Sequence, residues 1–305
     1  VEGKPVVPEE LREYWQIIYQ PGDRAAAAEA GQADHLFHQL GEGRFEDVSA
    51  KAGLGGFDFG NAVLWWDYDN DGWPDLYVAN DYFGPDRLYH NNRDGTFTDR
   101  AASALPRTPW TSMGADVGDL NRDGWPDLIA SDMSGRGHRR QMIDSGDLDR
   151  NGWFLDFPEP RQYMRNAVYV NTGTGRFLEL AYQLGVADTD WTWSVLLGDL
   201  DNDGWEDLFV ANGMTRDWMD NDLAQQTRGL SPAALAQFWA AQPVRADRRM
   251  ACTVGSTKWS DTPMSSRTFS ESPIFTVVPR YVSTCSSSPP WPCTRVMVTP
   301  WTSLL

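Results

Sequence analysis

Three short acidic segments hold the residues best suited to chemistry: DYDNDGWPD at 67–75, DLNRDGWPD at 119–127 and DLDNDGWED at 199–207. Each has Asp or Asn at positions 1, 3 and 5, Gly at 6, Trp at 7 and Asp at 9. Carboxylates packed this closely repel one another. A hard divalent cation surrounded by oxygen donors turns that repulsion into binding, and Ca²⁺ is the ion such ligand sets usually take. The spacing predicts side-chain ligands at 1, 3, 5 and 9 and a backbone carbonyl at 7. The first site is then Asp67, Asp69, Asp71 and Asp75 with the carbonyl of Trp73. The second is Asp119, Asn121, Asp123 and Asp127 with that of Trp125, and the third is Asp199, Asp201, Asp203 and Asp207 with that of Trp205. About three Ca²⁺ sites are expected, the second the weakest because Asn121 removes one negative charge. Gly72, Gly124 and Gly204 are expected to permit the tight turn. The competing reading is a solvated acidic β-turn, but a turn needs no acid at position 9.

These are not helix–loop–helix sites. An EF-hand needs a bidentate Glu at position 12 between helices. Position 12 here is Val78, Ala130 and Val210, within the short apolar runs 76–79, 128–130 and 208–211. Runs of this length, bounded by turn residues, read as buried strands. Phe45, Phe97 and Phe177 precede the three loops by a constant 22 residues, each closing a Gly-rich turn. The repeat unit therefore reads strand, Gly turn, Phe strand, spacer, strand, acidic loop, strand, and the constant offset is expected to tie each loop and its Phe to one blade. Strand repeats of about 50 residues indicate a propeller or a related array.

DxDxDGxxD followed by an apolar strand, together with the Asn-x-Gly-x-Gly-x-Phe turn, resembles the FG-GAP/VCBS repeat proteins, including integrin α-subunit propellers. Segments such as VANDYFGPDRLYHNNRDGTFTD and TDWTWSVLLGDLDNDGW resemble its bacterial, cartilage-acidic-protein-like (ASPIC-type) branch. The resemblance covers roughly 35–222. It implies an all-β, Ca²⁺-stabilised β-propeller with short helical insertions, usually exported, binding a protein or carbohydrate ligand at a propeller face. It also implies seven blades, where three to four are visible, and it implies no shared enzymatic reaction.

The net charge is −17. Such acidity argues against nucleic acid, whose phosphates need clustered Lys and Arg. No apolar stretch approaches a membrane span, and no signal peptide follows Val1. Weak all-oxygen sites suit millimolar Ca²⁺, which favours an extracytoplasmic location. Fifteen Trp recur at position 7 and before the loops (Trp65, Trp66, Trp191, Trp193), which favours packing within blades over stacking on sugar rings. The four His (35, 38, 90 and 138) form no evident constellation, and the sequence has no GxSxG, phosphate loop or HExxH. A non-enzymatic module is expected; the alternative is a propeller enzyme acting on polysaccharide, a Ca²⁺-dependent lyase or a glycosidase.

Outside the repeats, 1–34 is expected to be an N-terminal helical segment, with a short helix over 8–19. DLDRNG at 147–152 mimics a fourth acidic loop but has Leu155 at position 9. The region 223–244 is expected to be helical from Ser231–Pro232. From 245 to 305 the chain turns Ser/Thr/Pro-rich and holds all three Cys. An irregular tail is expected there, arising from a shifted reading frame; a disulfide or metal role fits no common Cys spacing.

Overall fold

The computed structural model describes residues 33–54, 58–82, 84–145, 160–214, 216–217 and 220–243, and the backbone of four further strands at 15–20, 24–29, 252–256 and 276–277. In chain order the strands are β1 Trp15–Gln20, β2 Arg24–Glu29, β3 Phe37–Gly41, β4 Arg44–Asp47, β5 Phe59–Trp66, β6 Asp75–Asp81, β7 Arg87–Asn91, β8 Phe97–Asp99, β9 Arg107–Pro109, β10 Ser112–Gly118, β11 Asp127–Asp132, β12 Arg161–Tyr163, β13 Ala167–Asn171, β14 Phe177–Glu179, β15 Thr192–Gly198, β16 Asp207–Asn212, β17 Cys252–Ser256 and β18 Thr276–Val277. They build three four-stranded sheets in the orders β5-β6-β7-β8, β10-β11-β13-β14 and β15-β16-β17-β18. Every pairing within them is antiparallel. Each sheet is one blade of a propeller-like all-β fold. Two-stranded pairs β1-β2, β3-β4 and β9-β12 accompany them.

The middle strands explain why the apolar runs are continuous. β6 and β11 lie between sheet neighbours and are covered on both faces, so β11 is buried from end to end. Along β6, Tyr77 and Ala79 pack toward the second blade with Leu128 and Ala130, while Leu76 and Val78 join Leu54 and Tyr89 on the other face. Ile129 of β11 turns the opposite way, toward Val195, Leu208 and Val210 of the third blade. The core therefore lies between blades. A wholly buried residue such as Leu128 contributes about 1.5–3 kcal/mol.

First strands also meet one another: β10 packs between β5 and β15. Each of the three is irregular near its start, with a register shift at Gly60/Ala62, Ser112/Ala115 and Thr192/Ser194. Bulges of this kind sharpen strand twist. They also form contacts from blade to blade. Asn61 Nδ2 donates to the carbonyl of Ser112 at 3.0 Å. Gly114 lies so close to the third blade that a Cβ there would sit 2.8 Å from Ser194 Cα and 3.0 Å from the Trp193 carbonyl.

The structure corrects several expectations. The 22-residue unit crosses blades: Phe97 lies on β8 of the first blade while the loop at 119–127 joins β10 to β11 of the second, and Phe177 is likewise one blade ahead of the loop at 199–207. A repeat defines a period but no phase, and each meander closes after the Phe strand. Of the expected N-terminal helix, 1–14 lie outside the described residues, and Trp15–Gln20 is a strand paired with Arg24–Glu29. Its aromatic and β-branched run, WQIIY, outweighs the acidic start. The tail from 245 supplies backbone to the third blade, β17 pairing with β16 from Asp207↔Ser256 to Ala211↔Cys252. The remaining tail and the 147–152 mimic lie outside the described residues. Within 223–244 a helix runs over Pro232–Ala241, and the Ser231 hydroxyl caps it by accepting from Ala234 N–H at 3.3 Å.

Candidate functional site

All three acidic loops link the first strand of a blade to its second: 67–74 between β5 and β6, 119–126 between β10 and β11, 199–206 between β15 and β16. Their backbones repeat. Position 4 is left-handed in each, with φ of 54° at Asn70, 60° at Arg122 and 56° at Asn202. So is position 6, where Gly72, Gly124 and Gly204 have φ of 88°, 85° and 82°. The Gly positions were legible in the sequence; the left-handed residue at 4 was not.

The carboxylate at position 1 organises each turn. Asp67 accepts from the N–H groups of Asp71 (2.9 Å) and Gly72 (2.8 Å). Asp119 accepts from Asp123 (3.1 Å) and Gly124 (2.9 Å), and Asp199 from Asp203 (3.1 Å) and Gly204 (2.8 Å). Position 5 accepts from the N–H of position 7 at 2.8, 2.8 and 2.9 Å. Among these side chains, carboxylate oxygens of Asp67, Asp69 and Asp71 fall within 4.8 Å of one another, as do those of Asp199, Asp201 and Asp203. In the second loop the Asn121 amide instead donates to Asp123 at 2.8 Å, so the loop with the neutral residue closes partly on itself.

Position 9 is buried and has a structural duty that spacing alone does not reveal. Asp75 accepts from Tyr68 N–H (3.2 Å) and from Asn91 N–H (2.8 Å). Asp127 accepts from Leu120 N–H (2.9 Å) and Asn171 N–H (2.8 Å). Each carboxylate thus ties its loop to the end of the third strand. Among the described residues, the Asp207 carboxylate accepts from Leu200 N–H at 3.1 Å alone. Burial raises the Asp75 carboxyl to about 6 and the Asp127 carboxyl to about 7, against the lowering effect of those N–H donors. Burial also raises Asp69, with Asp71 adding repulsion. Asp71 goes the other way, held down by hydrogen bonds from Arg93, whose guanidinium lies 2.6 Å away.

Adjacent loops touch through position 4. Asn70 Nδ2 donates to the carbonyl of Gly124 at 3.2 Å, and the Arg122 guanidinium lies 4.5 Å over the Trp205 ring. The position-7 tryptophans divide by blade. Trp125 packs over Gly173, where a Cβ would meet its ring at 2.8 Å. Trp73 stays 46 % exposed and Trp65 51 %, while Trp66 is buried against Phe177, ring centroids 5.7 Å apart.

One histidine expected to belong to no constellation lies beside the first site. His90, on β7, places Nδ1 3.3 Å from both Asp69 and Asp75. It was hidden because β7 follows the loop by a whole strand, and only the sheet register brings the two together.

These features define a class: a propeller-like module whose blades carry acidic, oxygen-rich loops along one edge. The chain belongs to the FG-GAP-like repeat family. Its repeats match at residues 22–78, 67–130 and 161–210, more than half the chain, and each match ends at position 12 of an acidic loop. The sequence is similar to cartilage acidic protein 1 of Homo sapiens, at 36 % identity over 125 residues, which is 40 % of this chain and 18 % of that protein. It is also similar to cartilage acidic protein 1 of Mus musculus, at 34 % over 90 residues, covering 29 % and 14 % respectively. The chain spans less than a fifth of the length of these curated relatives. No described helix is long and apolar enough to cross a membrane.

Proposed function

We propose that this chain is a Ca²⁺-binding propeller module that works outside the cytoplasm as an adhesion, ligand-binding or scaffolding unit. The observation that carries this reading is the repetition of one loop geometry in three blades, with the side chains at 1, 3 and 5 gathered in a turn fixed by position 1 and the acid at 9 held beneath it. The donors are oxygen, the number is suitable, and the net local charge is negative, which together fit Ca²⁺. The ligands are those expected from spacing: Asp67, Asp69, Asp71, Asp75 and the Trp73 carbonyl; Asp119, Asn121, Asp123, Asp127 and the Trp125 carbonyl; Asp199, Asp201, Asp203, Asp207 and the Trp205 carbonyl. Bound Ca²⁺ would offset the repulsion within each loop and stiffen the edge where adjacent loops touch.

The family and the named relatives support a non-enzymatic role, with a protein or carbohydrate as partner. An array of glycans and proteins probed in Ca²⁺ and again in EDTA tests that role. Binding of one class that is lost in EDTA is the expected result; turnover of a polysaccharide without stable binding would overturn it.

A further inference from the structure

The first loop differs from the other two in a way that changes the ion it suits. His90 immediately precedes Asn91, whose N–H caps Asp75. In the second blade the residue preceding the corresponding Asn171 is Val170. Among the described residues the first site alone therefore gains an imidazole, and donor atoms of Asp69, Asp75 and His90 lie within 4.8 Å of one another.

The His90 Nδ1 and Asp69 Oδ1 atoms are buried and have no hydrogen-bond partner. Nδ1 stands 3.3 Å from Asp69 Oδ2 and from Asp75 Oδ1 and is hydrogen-bonded to neither. Both carboxylates are in ion-pair range of Nδ1 but out of hydrogen-bond alignment with it, and a buried carboxylate oxygen such as Asp69 Oδ1 with no hydrogen bond is costly. With metal–ligand bonds of about 2.0–2.15 Å, the donors around a tetrahedral ion lie about 3.3–3.5 Å apart, close to the separations seen here. Donor chemistry then chooses the ion: Ca²⁺ takes oxygen, whereas imidazole with carboxylates suits Zn²⁺ and its transition-series neighbours. Supporting groups are in place, since Asp75 is oriented by the N–H groups of Tyr68 and Asn91. An entry path exists as well: Asp69 and His90 line a cavity of about 270 Å³, with Arg100 and Arg176 on its wall. Three protein ligands beside an open cavity leave a fourth position for water or an anion. Meanwhile Arg93 engages Asp71, drawing the position-5 carboxylate toward a partner outside the loop.

We propose that Asp69, Asp75 and His90 form a mixed nitrogen–oxygen centre that binds a transition-series divalent cation, Zn²⁺ in the first instance, displacing the Ca²⁺ that the first loop takes when no such metal is present, while the second and third loops remain all-oxygen sites. This deepens the calcium reading, from which it takes Asp69 and Asp75 as cation ligands. The test is titration of the full chain with Zn²⁺ in saturating Ca²⁺, repeated for His90→Gln, with Co²⁺ absorption as a second readout. The wild type should bind one Zn²⁺, His90→Gln should lose at least tenfold in Zn²⁺ affinity with Ca²⁺ heats at the other loops intact, and bound Co²⁺ should show visible bands altered by the substitution. Should His90→Gln fold poorly, the Co²⁺ bands of the wild type decide alone: octahedral, all-oxygen bands would overturn the proposal. Normal Ca²⁺ binding with no Zn²⁺ uptake, or Zn²⁺ uptake unaffected by His90→Gln, overturns this proposal only. Absence of Ca²⁺ heats together with retained Zn²⁺ binding would instead sink the calcium reading.

Discussion

The Asp127 carboxylate accepts the backbone N–H of Asn171 at 2.8 Å, joining the start of β11 to the end of β13. The Asn171 side chain continues the link, donating to the carbonyls of Pro126 at 3.1 Å and of Tyr68 at 2.7 Å in the preceding blade's loop. An acid expected solely as a metal ligand is thus also a fastener between strands and, through its partner, between blades. The paired Asp75 and Asn91 repeat this arrangement in the first blade.

Asp127→Ala should therefore destabilise the protein even without metal. It leaves the N–H groups of Leu120 and Asn171 unsatisfied in a buried place, a loss of about 2–5 kcal/mol. Urea unfolding in EDTA measures it. A cost below about 1 kcal/mol in EDTA would mean that position 9 matters through the cation alone.

Asn121→Asp should strengthen the second site roughly tenfold, because it adds a fourth carboxylate to a loop that has three. It also removes the amide that donates to Asp123, so the metal-free variant should melt below the wild type. Calorimetry with Ca²⁺ and a melt in EDTA check the two halves. Weaker Ca²⁺ binding by the variant would show that Asn121 Oδ1 is already the better ligand.

Gly114→Ala should destabilise by about 1–3 kcal/mol or more. The new methyl would meet backbone atoms of Ser194 and Trp193, and backbone cannot rotate aside as a flexible side chain can. The expected readout is a lower melting temperature with Ca²⁺ stoichiometry preserved. An unchanged melt would mean that the second and third blades are not held this close in solution.

A buried pair away from the loops sets a pH dependence. Asp86 accepts from Asn80 N–H (2.9 Å), from the Ser112 hydroxyl (3.2 Å) and from Tyr77 OH, while Asp132 accepts from the N–H groups of Trp110 and Thr111. Burial raises both carboxyls to about 7. In the unfolded chain they ionise near the ordinary value of about 4. Between those limits the native state holds protons that the unfolded state has released, so stability from these groups falls as pH rises from about 4 to 7 and then levels off. The chain itself supplies the isosteric control: the second blade uses Asn166 where the first uses Asp86, and the first uses Asn80 where the second uses Asp132. Asp86→Asn with Asp132→Asn should flatten urea stability across that window. An unaltered slope would refute the assignment.

How much of this was legible follows from the range of each interaction. The acidic loops, the Gly turns and the buried runs after them are local, so spacing displays them. The blade phase was hidden because Phe97 and Phe177 close one blade while sitting in the repeat unit of the next. His90 reads in the sequence as part of no constellation because its partners, Asp69 and Asp75, meet it through pairing of β6 with β7, and the second role of Asp127 is hidden because its bond to Asn171 spans 44 residues. The N-terminal strand is hidden in the sequence because Pro8, Glu9 and Glu10 match a helix start ahead of the β-favouring run at 15–19.

The central claim is that the three acidic loops are cation sites. Its most direct test is calorimetric titration of the chelator-treated chain with Ca²⁺, paired with thermal melts in Ca²⁺ and in EDTA. The account predicts saturable heats for about three sites and a native state stabilised by about 2.7 kcal/mol per site at a hundredfold excess of Ca²⁺ over Kd. No heat, together with a melting temperature indifferent to EDTA, would contradict it.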